Sequence, residues 1–407
     1  MTISKSKLLA VAIFFLLFQI LHLETISILG IKISYLWKAI LLFYLVSQLN
    51  RRKIWSGYYS LLALSFISLL NNDLTIDLPT AGINLFNILI IPIIGIYISH
   101  FDIERLKRIN TRISLFVIVS FIPYSLGIIE SLGQAYDLEN FGGSFGLVGV
   151  FATAHGASLT LAAALLVVVD LYISEKKYKA IYGAALAIGF LFLIQTYVRT
   201  GLLMFIVGAF ALFMSNAKHI KKLHLALIPA FIFALWLPTT EKFEILTNRI
   251  TGSGIYTNED SISSLGSGRG GIYMASLKIF SEFDTKSMLI GVGKATQMDL
   301  IESKIGLRIG SHNAFIDLLL AHGIFGLMLF VQFLYKVLML ISKQPQGRAK
   351  SLAISLYLAY LAMCLVQGFN WLFVNVIFLL TLTICLKIVT HPKPAQPITR
   401  QTIQPYT

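Results

Sequence analysis

"SHNAFIDLLLAHGIFGLMLFVQFLYKVLMLI" (residues 311–341) opens on three polar residues and then stays apolar to its end, with Asp317 and Lys336 as its only formal charges. A bilayer core about 30 Å thick is crossed by ~20 predominantly apolar helical residues. A surface helix of a soluble domain would carry a polar stripe at helical spacing, and this stretch has none. The reading is a membrane span over 314–341 with a Ser-His-Asn tripeptide at its mouth.

Similar segments recur along the chain, near 8–24, 30–49, 55–71, 81–99, 113–131, 153–173, 180–196, 200–215, 221–238, 350–367 and 371–389. Composition agrees: the 407 residues are 57% hydrophobic and only 13% charged, where soluble proteins carry roughly a quarter. The fold class expected is therefore all-α and polytopic, with about twelve transmembrane helices. The first apolar run follows Lys5 and Lys7 as a signal peptide would. No small-x-small cleavage site follows it, so it reads as an uncleaved span. Cys364 and Cys385 both fall in expected spans and suggest neither a disulfide framework nor a metal site.

The net charge of +14 does not call for a nucleic-acid partner, because Lys and Arg concentrate in the cytoplasmic loops of membrane proteins. Basic groups fall in alternate connections: Lys5 and Lys7, "RRK" at 51–53, Arg105 to Arg112, "KKYK" at 176–179, Lys218 to Lys222, Lys343 to Lys350, and Lys387, Lys393 and Arg400. The intervening short loops at 71–79 and 131–146 hold no Lys or Arg. By the positive-inside rule both termini are cytoplasmic. The segment 239–313 is then one large outer loop, long enough to need structure and a purpose of its own. The chain divides into helices one to nine (1–238), that loop (239–313), helices ten to twelve (314–390) and a cytoplasmic tail (391–407).

Three polar sites face outward in this topology. In "GSGRGGIYMASLKIFSEF" (266–283), Ile272, Ala275, Ser276, Ile279, Phe280 and Phe283 recur at three- and four-residue spacing, an amphipathic helix. Arg269 stands in the glycine-rich turn before it, where freed backbone N–H groups and a guanidinium can receive a phosphate. The glycines could equally serve the turn alone. Gly266, Gly268 and Gly271 match G-x-G-x-x-G, but without the strand and βαβ unit that fingerprint requires. Arg199, in "TYVRTGLL" (196–203), lies at a short turn between expected spans, where an arginine either snorkels or meets an anion. His312 and Asn313 follow the loop, with Ser311 as the expected cap of the next helix. An imidazole there can act as a base, a relay or a hydrogen-bond partner. His322 lies deeper in the same span and ranks below it. Asp299, Glu302, Glu259 and Asp260 form no metal-binding spacing, so no metal and no cofactor are expected.

Three islands, "VRTG", "GRGGIYMASLKIF…LIGVG" and "SHNAFIDLLLAHGIFG", make the chain resemble the superfamily of O-antigen polymerases and ligases. The resemblance implies about twelve spans with one large periplasmic loop, in the bacterial inner membrane. It implies transfer of a glycan from undecaprenyl diphosphate to a sugar hydroxyl at the periplasmic face. Under that resemblance His312, Arg269 and Arg199 are the catalytic set: the arginines hold the diphosphate and His312 the acceptor hydroxyl. Asn313, Ser311, Gly268, Gly270 and Tyr273 are candidate substrate-binding residues. Expected partners are the undecaprenyl-diphosphate-linked oligosaccharide, membrane lipid, a chain-length regulator and a flippase, with no nucleic acid. Asp317 within the helix favours polymerase over ligase. A flippase of the same lipid-linked sugar is the alternative from another class. It would use ionisable groups near the bilayer midplane, for which Lys38, Asp170, Asp317 and Lys336 are the candidates.

Overall fold

The computed structural model describes residues 55–71, 103–130, 146–151, 153–215 and 269–369, with short pieces at 27–28, 31–32, 89, 381–382 and 384–385. The helices are α1 (Ser56–Leu70), α2 (Ile103–Ser120), α3 (Ile122–Ser125), α4 (Ala154–Ser174), α5 (Lys179–Gln195) and α6 (Arg199–Ser215). They continue as α7 (Arg269–Ser281), α8 (Thr285–Ile290), α9 (Lys294–Ile305), α10 (Ala314–Ser342) and α11 (Arg348–Val366). Strands β1 (Ser27–Ile28) and β2 (Ile31–Lys32) pair antiparallel, so the span expected from residue 30 does not begin as helix. The other regular elements among the described residues are helices, joined by turns and short loops. Among them α4, α10 and α11 are long and apolar enough to cross a membrane, while α1, α5 and α6 are shorter apolar helices. The spans expected at 8–24, 81–99, 221–238 and 371–389 lie outside the described residues apart from isolated positions.

One expected span is displaced. The helix placed at 113–131 begins at Ile103 and ends at Ser120, where Pro123 starts the single turn of α3. Its first turns carry Lys107, Arg108 and Arg112, so the charged segment taken for a loop is the polar start of the helix itself.

Helix α4 is the centre of the bundle. It is buried from Ala154 to Leu171 on every face, with α2, α5, α6 and α11 around it. Inside a bilayer, lipid tails are as apolar as leucine, so close packing and interhelical hydrogen bonds hold helices together. Gly201 and Gly208 let α6 lie against α4: a Cβ at Gly201 would strike Ser158, and one at Gly208 would strike Leu166 and crowd Ala359 of α11. Ser355 Oγ of α11 donates to Gly208 O at 2.6 Å, tying α11 to α6 at the same glycine.

These contacts fix direction. Gly201 lies by Ser158 and Gly208 by Leu166, so α4 and α6 run parallel. Arg348, at the start of α11, pairs with Asp170 near the end of α4, Nη2 to Oδ2 at 2.7 Å, so α11 runs opposite to both. Arg199 at the head of α6 therefore stands at the end of the bundle where α11 finishes.

Helix α10 pairs with α1 in the opposite sense. Lys336 Nζ donates to Ser56 O at 3.0 Å, Ser60 Oγ to Gln332 at 2.8 Å, and Asn71 Nδ2 to Ala321 O at 3.1 Å. The outward face of α10 carries Ile324, Phe325, Met328, Val331 and Tyr335, a stripe of exposed apolar side chains suited to lipid.

Helix α10 is not continuous. Gly323 adopts φ 67° and ψ −170°, which only glycine takes without strain, and divides it into 314–322 and a longer second piece. The break frees carbonyls, and the loop "LIGVG" (289–293) takes them: Val292 N donates to Leu320 O at 3.1 Å and Gly293 N to Ala321 O at 3.0 Å. Backbone meets backbone here, since a Cβ on either Gly291 or Gly323 would overlap the facing chain.

Candidate functional site

The described part of the large loop, residues 269–313, is three helices joined by tight turns. The amphipathic pattern places α7 correctly: Ile272, Ser276 and Ile279 face inward, while Met274 and Leu277 are exposed. The inward face meets Ile301 of α9 and Leu320 of α10 in a small apolar cluster that Phe280 and Phe283 complete. Helices α8 and α9 were not foreseen, although both carry legible signals. Asp284 caps α8 by accepting from Ser287 N at 3.0 Å, and Gly306 ends α9 in the left-handed conformation.

The last carbonyls of α11 have no partner within their own helix, as at any helix C-terminus. The mouth of the site is built on them. Arg269 Nη1 donates to Val366 O at 2.8 Å, Asn313 Nδ2 donates to Leu365 O at 3.1 Å, and Tyr273 Oη lies 3.3 Å from both Leu365 O and His312 O. A cation is also favoured at that negative end of the helix dipole. Thus α7, the 310–313 strap and α11 are drawn together around Arg269 and His312.

The helix cap is Asn313, whose Oδ1 accepts from Phe315 N at 2.9 Å and Ile316 N at 3.2 Å. Ser311, expected in that role, instead turns inward. It is fully buried, and its hydroxyl donates to Asp317 Oδ1 at 2.7 Å. Between the two, His312 adopts φ 57°. Left-handed backbone costs a non-glycine residue on the order of 1 kcal/mol. The two non-glycine residues of this kind among those described are His312 and Tyr197, the latter two positions before Arg199.

Electrostatics sets the state of the imidazole. Burial, with Arg269 and Lys294 nearby, lowers His312 to about 4, and the Asp317 carboxylate opposes them only in part. His312 is therefore neutral at pH 7 and accepts hydrogen bonds through one ring nitrogen. Burial also lowers Arg269 from its ordinary value and raises Tyr273.

Asp317 is the residue that spacing did not reveal as part of this site. Five donors reach its carboxylate: Ser311 N and Oγ and Gln297 Nε2 at Oδ1, and Lys294 Nζ and Phe369 N at Oδ2, at 2.7 to 3.3 Å. The other described ionisable groups weighed for a transport path are also engaged. Asp170 pairs with Arg348, Lys336 bonds to Ser56 and Ser60, and Lys38 lies outside the described residues. Asp299 pairs with Arg308 at 2.7 Å. His322 is buried, with Nδ1 3.2 Å from Ser68 Oγ.

Arg269, His312, Tyr273, Asn313 and Ser311 thus come together at one mouth, and Gly270 sits in the first turn of α7. Gly268 lies outside the described residues. Arg199 occupies the same end of the bundle, at the head of α6, with residues 196–198 alone separating it from α5.

Residues 184–331 match the family model described as O-antigen ligase, from α5 through Arg199, Arg269 and His312 into α10. The match spans about a third of the chain and is consistent with the O-antigen polymerase and ligase superfamily. A comparison with curated proteins finds no match.

Proposed function

We propose that the chain is an O-antigen polymerase. It would move a glycan from undecaprenyl diphosphate onto a sugar hydroxyl of another lipid-linked repeat unit, at the periplasmic face of the inner membrane. The observation that carries the reading is Arg269 beside a neutral, half-buried His312 at the mouth of α10.

A guanidinium offers five N–H donors, and the bond to Val366 uses one of Arg269's. A diphosphate docked there receives charge-assisted hydrogen bonds that strengthen as the bond from the anomeric carbon to its oxygen breaks. Arg199, at the same end, would add a second cation. The acceptor hydroxyl donates to His312 and attacks the anomeric carbon, and its proton passes to the imidazole. A group held near 4 is a weak base. The arriving anion offsets the influence of Arg269 and Lys294, so His312 becomes more basic once substrate is bound. Most of the rate then comes from alignment and from the leaving group.

Ligase activity, transfer of the finished polymer to lipid A-core, is the second reading, favoured by the description of the matching family model. The two differ in the surface glycolipids of cells lacking the gene. Core bearing a single repeat unit, with a ladder restored by wild type but not by His312→Ala or Arg269→Ala, supports polymerase. Bare core with polymer stranded on the carrier means ligase. A full ladder from both variants removes this site assignment.

A further inference from the structure

We infer that Asp317 is a positioning residue for the transfer reaction: it fixes the backbone of His312 from beneath without touching substrate, an assignment that rests on the function proposed above.

The geometry is that of a clamp with its anchor below the site. Asp317 is 3% exposed and lies one helical turn inside α10. Its Oδ1 receives both Ser311 donors, N at 2.8 Å and Oγ at 2.7 Å, so the residue immediately before His312 is held twice. Ser311 Oγ in turn accepts from Asn313 N at 3.2 Å, and Asn313 caps the helix and reaches Leu365 O, so the residue after His312 is held as well. A histidine with φ 57° between two such fixed neighbours has no room to relax to a commoner conformation.

The clamp is also tied to the walls of the site. Lys294 and Gln297 connect it to α9, and Phe369 N connects it to the segment that follows the carbonyls holding Arg269. A side chain at position 368 would strike the carboxylate, so Gly368 lets the segment after α11 lie directly against Asp317. Asp317 therefore sets the relative placement of the phosphate-binding and hydroxyl-binding halves. Misplacement of reacting groups by about 1 Å costs on the order of a hundredfold in rate.

The test uses full-length protein in lipid vesicles, with an undecaprenyl-diphosphate-linked oligosaccharide as donor and acceptor, and compares Asp317→Asn, Ser311→Ala and His312→Ala with wild type. For the first two, kcat is expected to fall about 10- to 100-fold with donor KM within about threefold; the melting temperature stays little changed in Ser311→Ala and falls in Asp317→Asn, which leaves Lys294 facing a neutral amide. Ser311→Ala leaves Asp317 paired with Lys294 and Gln297, so it decides the matter if Asp317→Asn folds poorly. Wild-type kcat in Ser311→Ala, or a loss in it that falls wholly on KM, overturns the inference. If His312→Ala itself transfers at the wild-type rate, the functional reading fails. If only His312→Ala is inactive, that reading stands and the positioning role alone is lost.

Discussion

His312 carries a pH signature that distinguishes its free and substrate-bound states. In the free protein it sits near 4, so the acid limb of kcat/KM is expected close to that value, well below the 6.5 of an exposed imidazole. The limb of kcat reports the complex, where the diphosphate offsets the neighbouring cations, and is expected at higher pH. Coincident limbs near 6.5 in purified protein would contradict both the burial and the coupling. Stability follows the same sign. The unfolded chain binds a proton at His312 between 6.5 and 4 while the folded chain does not, so stability is retained above 6.5 and lost as pH falls toward 4. His312→Ala should accordingly show a smaller drop in melting temperature from pH 7 to pH 5 than wild type. Arg269 and His312 were legible in the sequence because each interrupts an apolar or glycine-rich run at a helix mouth. Asp317 was seen only as an acid within a span. Its partners at 294, 297, 311 and 369 come from three separate segments, and no local spacing announces them.

Helical periodicity located α7 and its inward face, and unbroken hydrophobicity located α4, α10 and α11. The fracture of α10 was not readable, because "AHGIFG" contains no proline and a lone glycine is tolerated within a helix. It exists because "LIGVG", some thirty positions earlier, supplies donors to the freed carbonyls of Leu320 and Ala321. Gly323→Ala meets two obstacles, a positive φ and the backbone of Leu289 and Gly291. Several kcal/mol are at stake where both apply. The expected outcome is a protein that still inserts into membranes but whose 269–313 region becomes sensitive to added protease, with transfer activity reduced at least tenfold. A variant as resistant as wild type would mean that the latch contributes little.

Among the described residues, basic groups stand at both ends of the bundle, in different settings. Lys107, Lys176, Lys177, Lys179, Lys343, Arg348 and Lys350 gather where α4 and α10 finish and α11 begins, while Arg199, Arg269 and His312 mark the opposite end. Hydropathy and the basic residues of the loops set the expected arrangement, since both report on the solvent around a segment. The turns, caps and ion pairs within each end depend on neighbours brought by folding. Single cysteines at Lys177 and Met274, in a chain with Cys364 and Cys385 replaced, should react with an impermeant maleimide from opposite faces of the membrane. Reaction of both from one face would refute the proposed topology. The docking of "LIGVG" onto the fractured helix also imposes a timetable on synthesis. Residues 289–293 are joined to the chain before residues 320 and 321, so the loop is made seconds ahead of its template, at roughly 5–20 residues per second. The mouth can close only after α10 has been translated, and a nascent chain halted before residue 320 should carry a loop that has nowhere to settle.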